Sequence, residues 1–334
     1  MPLADPMSVL TAALAALLLA AGWRIRRTGV LHELGKAETL PLRGLLALLV
    51  VLGHLNNRTG HAIPGLNVFG WETSAVAVFF FLSGYGLWKS HMADSGYWRG
   101  FLLRAFPKIL LPVLILAAAN WTFQALSGGK FHGLHHVWYV KCLLLFYAIS
   151  FVAFRFVPRH ALSLIALAVL SYWFSMRFLY GSKSYWWVTC FAFPMGFLFS
   201  AGEARIRQFV TRRPVTSCLT LAAALVAVSA PLCIPAARAT GIAELLYLVL
   251  GPALALCLYA FNGLARFGAL CFLGTCSYEV YLVHGIFEYG FLGNGWSSSA
   301  YVAAVLGVTL VAAVPFHWID VKALDFLRRR RQSR

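Results

Sequence analysis

The chain has 334 residues, 60% of them hydrophobic and 12% charged, with a mean hydropathy of +0.75. A soluble domain carries about 25% charged residues, so there is too little polar surface here to coat a globule, and an integral membrane protein is indicated. The net charge of +17 fits either a nucleic-acid partner or the Lys/Arg excess of cytoplasmic loops, and its placement along the chain decides between them.

Eleven apolar segments approach the roughly 20 residues needed to span a bilayer. They cover residues 7–23, 41–57, 68–88, 106–124, 137–157, 160–177, 185–202, 215–234, 242–260, 268–289 and 298–319. Strand-like alternation is absent. Helices are the default, because a spanning segment must satisfy its own backbone hydrogen bonds. The expected fold is all-α, a polytopic integral membrane protein of eleven transmembrane helices.

The first segment follows MPLADP, which carries no positive charge, and is followed by Arg24, Arg26 and Arg27. That order is wrong for a cleaved signal and right for a helix whose N-terminus lies outside. The same orientation puts 24–43, 89–108, 155–159, 203–213, 261–267 and 320–334 inside. Those stretches hold 22 of the 28 Lys and Arg residues, so the positive charge is a topology signal and no nucleic acid is needed to explain it. The RRRRQSR end suits a cytoplasmic tail near anionic lipid.

The second segment contains RGLLALLVVLGH, Arg43 to His54. Eleven residues are close to three helical turns, about 16 Å, so both side chains point to nearly the same face. A cation and an imidazole would line one track, with His54 near or beyond the midplane. Taken singly, Arg43 also fits an interfacial arginine reaching lipid phosphate, and His54 a structural hydrogen bond. Polar groups inside membrane helices tend nevertheless to be functional.

The third segment carries FFFLSGYGLWKS. Its small residues Ser83, Gly84 and Gly86, around Tyr85, leave room either for close helix packing or for a ligand. A basic loop follows with Arg99, Arg104 and Lys108, suited to phosphates and equally to a positive-inside loop. The outside loops hold His61, His132, His135 and His136. HGLHH lacks a neighbouring carboxylate or cysteine, and no metal site is expected. Trp138 begins the fifth helix as an interfacial aromatic, and Lys141 sits a turn deeper.

The tenth segment reads CSYEVYLVH and crowds Ser277, Tyr278, Glu279, Tyr281 and His284 into one apolar helix. Glu279 is expected near mid-membrane, as a functional group or a buried pair, and His284 at a depth comparable to His54. The seven cysteines form no CxxC pair and lie mostly in apolar runs, so neither a disulfide framework nor a zinc cluster is expected.

Together these stretches resemble the acyltransferase 3 family of bacterial membrane acyltransferases. The family's R-x10-H is matched by Arg43 and His54, and its FFxLSGF by Phe79, Phe80, Leu82, Ser83 and Gly84, with Tyr85 in place of Phe. Its R-x-x-P is matched by Arg104 and Pro107, its W-F-L loosely at Trp138, and its SYxxYLxH by Ser277, Tyr278, Tyr281, Leu282 and His284. The resemblance covers roughly residues 38–322 as a ten-helix core, with 1–37 an extra N-terminal helix and linker and 323–334 a basic tail. Two departures concern donor choice: LPL precedes Arg43 where an acidic residue is common, and Tyr85 adds a hydroxyl.

The resemblance implies transfer of an acyl group, acetyl by preference, from cytoplasmic acyl-CoA to a hydroxyl of a glycan or lipid-linked saccharide. It implies no tightly bound cofactor and no metal. It places the protein in a bacterial inner membrane, where the Lys/Arg distribution sets the N-terminus outside and the C-terminus in the cytoplasm. His54 is the expected general base, or else a histidine carries the acyl group across. Arg43, Arg99 and Arg104 are expected to meet the donor's phosphates. Ser83, Gly84, Tyr85, Trp138, Lys141, Tyr278 and Tyr281 are expected to line the substrate path, with His284 and Glu279 orienting or relaying. The alternative is a proton-coupled transporter using His54 and Glu279.

Overall fold

The computed structural model describes residues 6–29, 34–60, 62–63, 72–127, 134, 137–233, 242–260, 267–292 and 295–332. Its α-helices are α1 (Pro6–Thr28), α2 (Leu40–Arg58), α3 (Glu72–Ala93), α4 (Phe101–Ser127), α5 (Trp138–Phe156) and α6 (Ala161–Phe174), followed by α7 (Ala192–Arg212), α8 (Pro214–Ser229), α9 (Ile242–Ala260), α10 (Gly268–Thr275), α11 (Ser277–Gly290) and α12 (Ser298–Gln332). No strand occurs among the described residues.

Each of the eleven expected segments contains helix. Five helical stretches are long and apolar enough to cross a bilayer: 40–58, 101–126, 138–156, 158–179 and 298–330. The pair α10 and α11, bent by 75°, is together long and apolar enough for a broken span or a re-entrant loop. This is a multi-pass membrane protein.

Several boundaries differ from expectation, and three of them bear on the site or the charge pattern. The tenth segment is not one straight helix, because the chain breaks at Cys276, where the Ser277 hydroxyl turns back to the Gly274 carbonyl at 3.1 Å. Glu279 therefore lies in the first turn of α11. The stretch 203–213, expected as a loop, is mostly the end of α7. The basic tail expected at 323–334 continues α12 as helix to Gln332.

Helix contacts are tightest where glycines face carbonyls. A Cβ on Gly84 would fall 2.2 Å from the Phe193 carbonyl oxygen, and one on Gly196 would fall 2.1 Å from that of Phe81. These reciprocal approaches lock α3 to α7. Gly44 and Gly274 do the same for α2 and α10, against the carbonyls of Leu270 and Leu40. Small residues are how membrane helices come close. Helix α1 packs on α8 and α9.

Gly84→Ala is therefore expected to push α3 off α7 and cost about 1–3 kcal/mol of stability, the usual range for overpacking. Gly86→Ala, with nothing within 4 Å of the added Cβ, should leave stability nearly unchanged. Thermal unfolding in detergent compares them, and equal midpoints would contradict this packing.

Candidate functional site

Five helices, α2, α3, α4, α5 and α11, line a cavity of about 570 Å³. From α2 it is lined by Arg43 and Val50. Helix α3 supplies Val76, Phe79, Ser83, Gly86 and Ser90, which recur at spacings of three and four, one helix face. Helix α5 contributes Tyr139, Leu143 and Tyr147, four residues apart, and α11 contributes Ser277, Tyr278 and Tyr281. Lys36, Tyr97, Lys108 and Ile109 complete the walls. Among these the sequence reading named Arg43, Ser83, Tyr278 and Tyr281 as site residues and noted Phe79, Gly86, Lys108 and Ser277 in its motifs and basic loop. It missed Tyr139, Tyr147 and Lys36.

Arg43 has no carboxylate partner among the described residues. Its neighbours are the phenols of Tyr139 and Tyr147, which also face the Ser83 side chain. Lys36 and Lys108 add two further cations to the walls. In the loop before α4, burial raises the pKa of Tyr97, opposed by its hydrogen bond with Ser90 and by nearby Arg104. It therefore presents a neutral hydroxyl at pH 7.

Along α2, His54 lies one turn beyond Val50. Along α11, His284 lies about one turn beyond Tyr281. The two imidazoles stack, with ring centroids 5.2 Å apart and planes 29° apart, as their comparable expected depths suggest. His284 is buried, and its Nδ1–H donates to the Tyr281 carbonyl at 2.5 Å. A carbonyl only accepts, so this bond selects the tautomer in which Nε2 is the basic nitrogen. The Tyr281 ring, 5.7 Å from that of His284 and 5.5 Å from that of Tyr139, joins the imidazoles to the cavity wall.

A turn further out, Arg58 pairs with the buried carboxylate of Glu288 and stacks over Tyr289 at 4.1 Å. The Tyr301 hydroxyl donates to the Glu288 carbonyl at 2.7 Å, and the Asn57 side-chain amide donates to Glu72 at 3.0 Å. These bonds tie the ends of α2 and α11 to α12 and α3, and so hold the two histidines face to face.

A family model described as an acyltransferase domain matches residues 42–318. The chain belongs to the acyltransferase 3 family. No curated protein and no solved structure matches it. The matched range of this acyltransferase runs from α2 into α12 and takes in both histidines, Arg43 and the cavity helices.

Of the other expected site residues of the acyltransferase, Tyr278 lines the cavity, and Arg99, Arg104, Gly84, Trp138 and Lys141 do not. Arg104 donates to the backbone carbonyls of Tyr97 and Arg99, the latter at 2.6 Å, and is exposed. Of the three basic residues in that expected loop, only Lys108 lines the cavity, and Lys36 lines it as well. Gly84 is covered by α7 and is a packing residue. Trp138 lies against Tyr185 and Trp186, and the Lys141 ammonium sits 6.0 Å from the Trp186 ring, both outside the cavity lining. The Tyr278 hydroxyl donates to the Ile109 carbonyl at 2.8 Å, fixing α11 to α4.

Glu279 is not brought to His54. It accepts from His317 Nδ1 on α12 at 2.8 Å, with Asp320 one turn along the same helix. Five residues separate Glu279 from His284, about 140° around the helix, so the two serve different faces. His61, His132, His135 and His136 lie outside the described residues. No group of His, Cys, Asp or Glu among the described residues is arranged to hold a metal. Cys142, Cys190, Cys218, Cys257, Cys271 and Cys276 are free thiols.

A smaller chamber of about 310 Å³ adjoins the first, sharing Lys36, Arg43, Leu82, Gly86 and Ser90 and adding Tyr85 and Lys89. The Tyr85 hydroxyl, expected to bear on donor choice, has a protein partner. It donates to buried Glu203 on α7 at 2.9 Å, and Lys89 reaches the same carboxylate at 2.6 Å. Tyr85→Phe should therefore cost stability, about 1.5–3 kcal/mol for a hydrogen bond to a charged group, and change acetyl-CoA affinity little. A large affinity change at constant stability, measured by calorimetry and thermal unfolding, would return this hydroxyl to the donor site.

Proposed function

We propose that this acyltransferase moves an acyl group, acetyl by preference, from cytoplasmic acyl-CoA to a hydroxyl of a glycan or lipid-linked saccharide of the cell envelope. In this reading eleven helices span a bacterial inner membrane, with the N-terminus outside and the C-terminus inside. The observation that carries it is Arg43, a cation without an acidic partner among the described residues, on a cavity whose far end lies one helical turn from stacked imidazoles. An anionic donor supplies the missing counter-charge.

In the proposed chemistry the donor's phosphates meet Lys36, Lys108 and Arg43, the last as a bidentate fork. The thioester reaches inward along α2 and α3. His54 takes the proton of the acceptor hydroxyl as its oxygen attacks the thioester carbonyl. The C–S bond then breaks, and the CoA thiolate takes the proton from the imidazolium. His284, held by Tyr281, fixes the orientation of His54.

The test avoids the acceptor. Acetyl-CoA is titrated into purified protein and into Arg43→Ala by calorimetry. Saturable binding that the substitution weakens is the expected outcome. Absence of binding to folded, monodisperse wild-type protein would sink the donor reading.

A further inference from the structure

The cavity changes character along its length. Its cations, Lys36, Arg43 and Lys108, lie at one end with Ser90 and Tyr97. Val50 is seven residues beyond Arg43, about 10 Å along α2, and Val76 is fourteen residues from Ser90, about 21 Å along α3. Helices α5 and α11 present Tyr139 and Tyr281 as their deepest lining residues. The inner end is thus a ring of Val50, Val76, Phe79, Tyr139 and Tyr281, one turn short of His54. No charged side chain among the described residues lines it.

This ring is stiff. Val50 and Val76 are 1% and 4% exposed and β-branched, which restricts their rotamers. Tyr139 is wedged between Phe80 at 4.8 Å and Tyr281 at 5.5 Å, with Phe79 at 6.4 Å and Phe146 behind Phe80. A close-packed wall does not yield to extra methylenes without strain. A carboxylate in the same place would lose its water and gain no cation.

We propose that Val50, Val76, Phe79, Tyr139 and Tyr281 form an acyl selector, which admits a short uncharged acyl group and refuses longer or carboxylated ones. The inference rests on the acyl-CoA reading and adds the donor's acyl class and the residues that set it.

The experiment measures dissociation constants of acetyl-, propionyl-, butyryl- and succinyl-CoA for wild type, Val76→Ala and Val50→Ala in detergent. Butyryl- and succinyl-CoA are expected to bind wild type at least about tenfold more weakly than acetyl-CoA, the low end of what a methylene misfit costs. Either alanine variant should bring butyryl-CoA to within about threefold of acetyl-CoA while succinyl-CoA stays weak, since space is added but no cation. The two valines sit on different helices, so one variant suffices if the other fails to fold. Equal wild-type affinities for all four, or unchanged ratios in the folded variants, would overturn the selector and leave the donor reading standing. Binding of none of the four would overturn both.

Discussion

Replacing His54 with alanine is expected to lower acyl transfer by about 10²–10⁴-fold, the usual contribution of a positioned general base, with little change in acetyl-CoA affinity. Arg43, the α2 cation that would hold the donor, lies three turns from His54, and the imidazole is not among the cavity-lining residues. The measurement is incorporation of labelled acetyl groups from acetyl-CoA into endogenous acceptor in native membranes. His284→Ala should also slow transfer, because the His54 ring loses its stacking partner at 5.2 Å. The double variant should lose much less than the product of the two single losses, since residues that act as one unit are non-additive. Wild-type turnover by folded His54→Ala would remove this residue from the chemistry. A loss from His54→Ala that appears wholly in donor affinity would move it to binding.

The α2 part of the site was legible because helical periodicity is rigid. Arg43 and His54, eleven residues apart, do share a face, and Val50 falls between them on it. The same geometry separates Glu279 from His284, yet grouping them by motif put both on one path. The break at Cys276 carries only a weak sign, Gly274, a poor helix former, followed by Thr275, Cys276 and Ser277, none of them a strong one. Tyr139 and Tyr147 are hidden by composition: two phenols in a chain with 13 tyrosines and 26 phenylalanines have no signature until α5 is placed. Arg58 and Glu288 had a better sign, each four residues past a predicted histidine, but their pairing across 230 positions needs the fold. Charges misled at 203–213, where they marked the end of the apolar run. Helix α7 continues there because Arg and Glu are good helix formers, and Glu203 is drawn inward by Tyr85 and Lys89.

Arg43→Ala should weaken acetyl-CoA binding by about 10- to 150-fold, equivalent to the roughly 1.5–3 kcal/mol of a hydrogen bond to a charged group. Arg43→Lys keeps the charge but loses the planar fork, so its loss should fall between wild type and alanine. Lys36→Ala and Lys108→Ala should cost less, because both residues are exposed and solvent screens their charge. Stability separates a donor anchor from a structural arginine. A structural arginine has a carboxylate or carbonyl partner, and its loss destabilises. Arg43 has no such partner among the described residues, only phenols beside it, and a half-buried cation without a counter-charge costs desolvation. Removing it should leave the thermal midpoint of the ligand-free protein unchanged or higher, while the rise in midpoint that acetyl-CoA gives wild type through preferential binding to the folded state shrinks. A lower midpoint without ligand, together with unchanged donor affinity, would make Arg43 part of the scaffold and take the anion site out of this cavity.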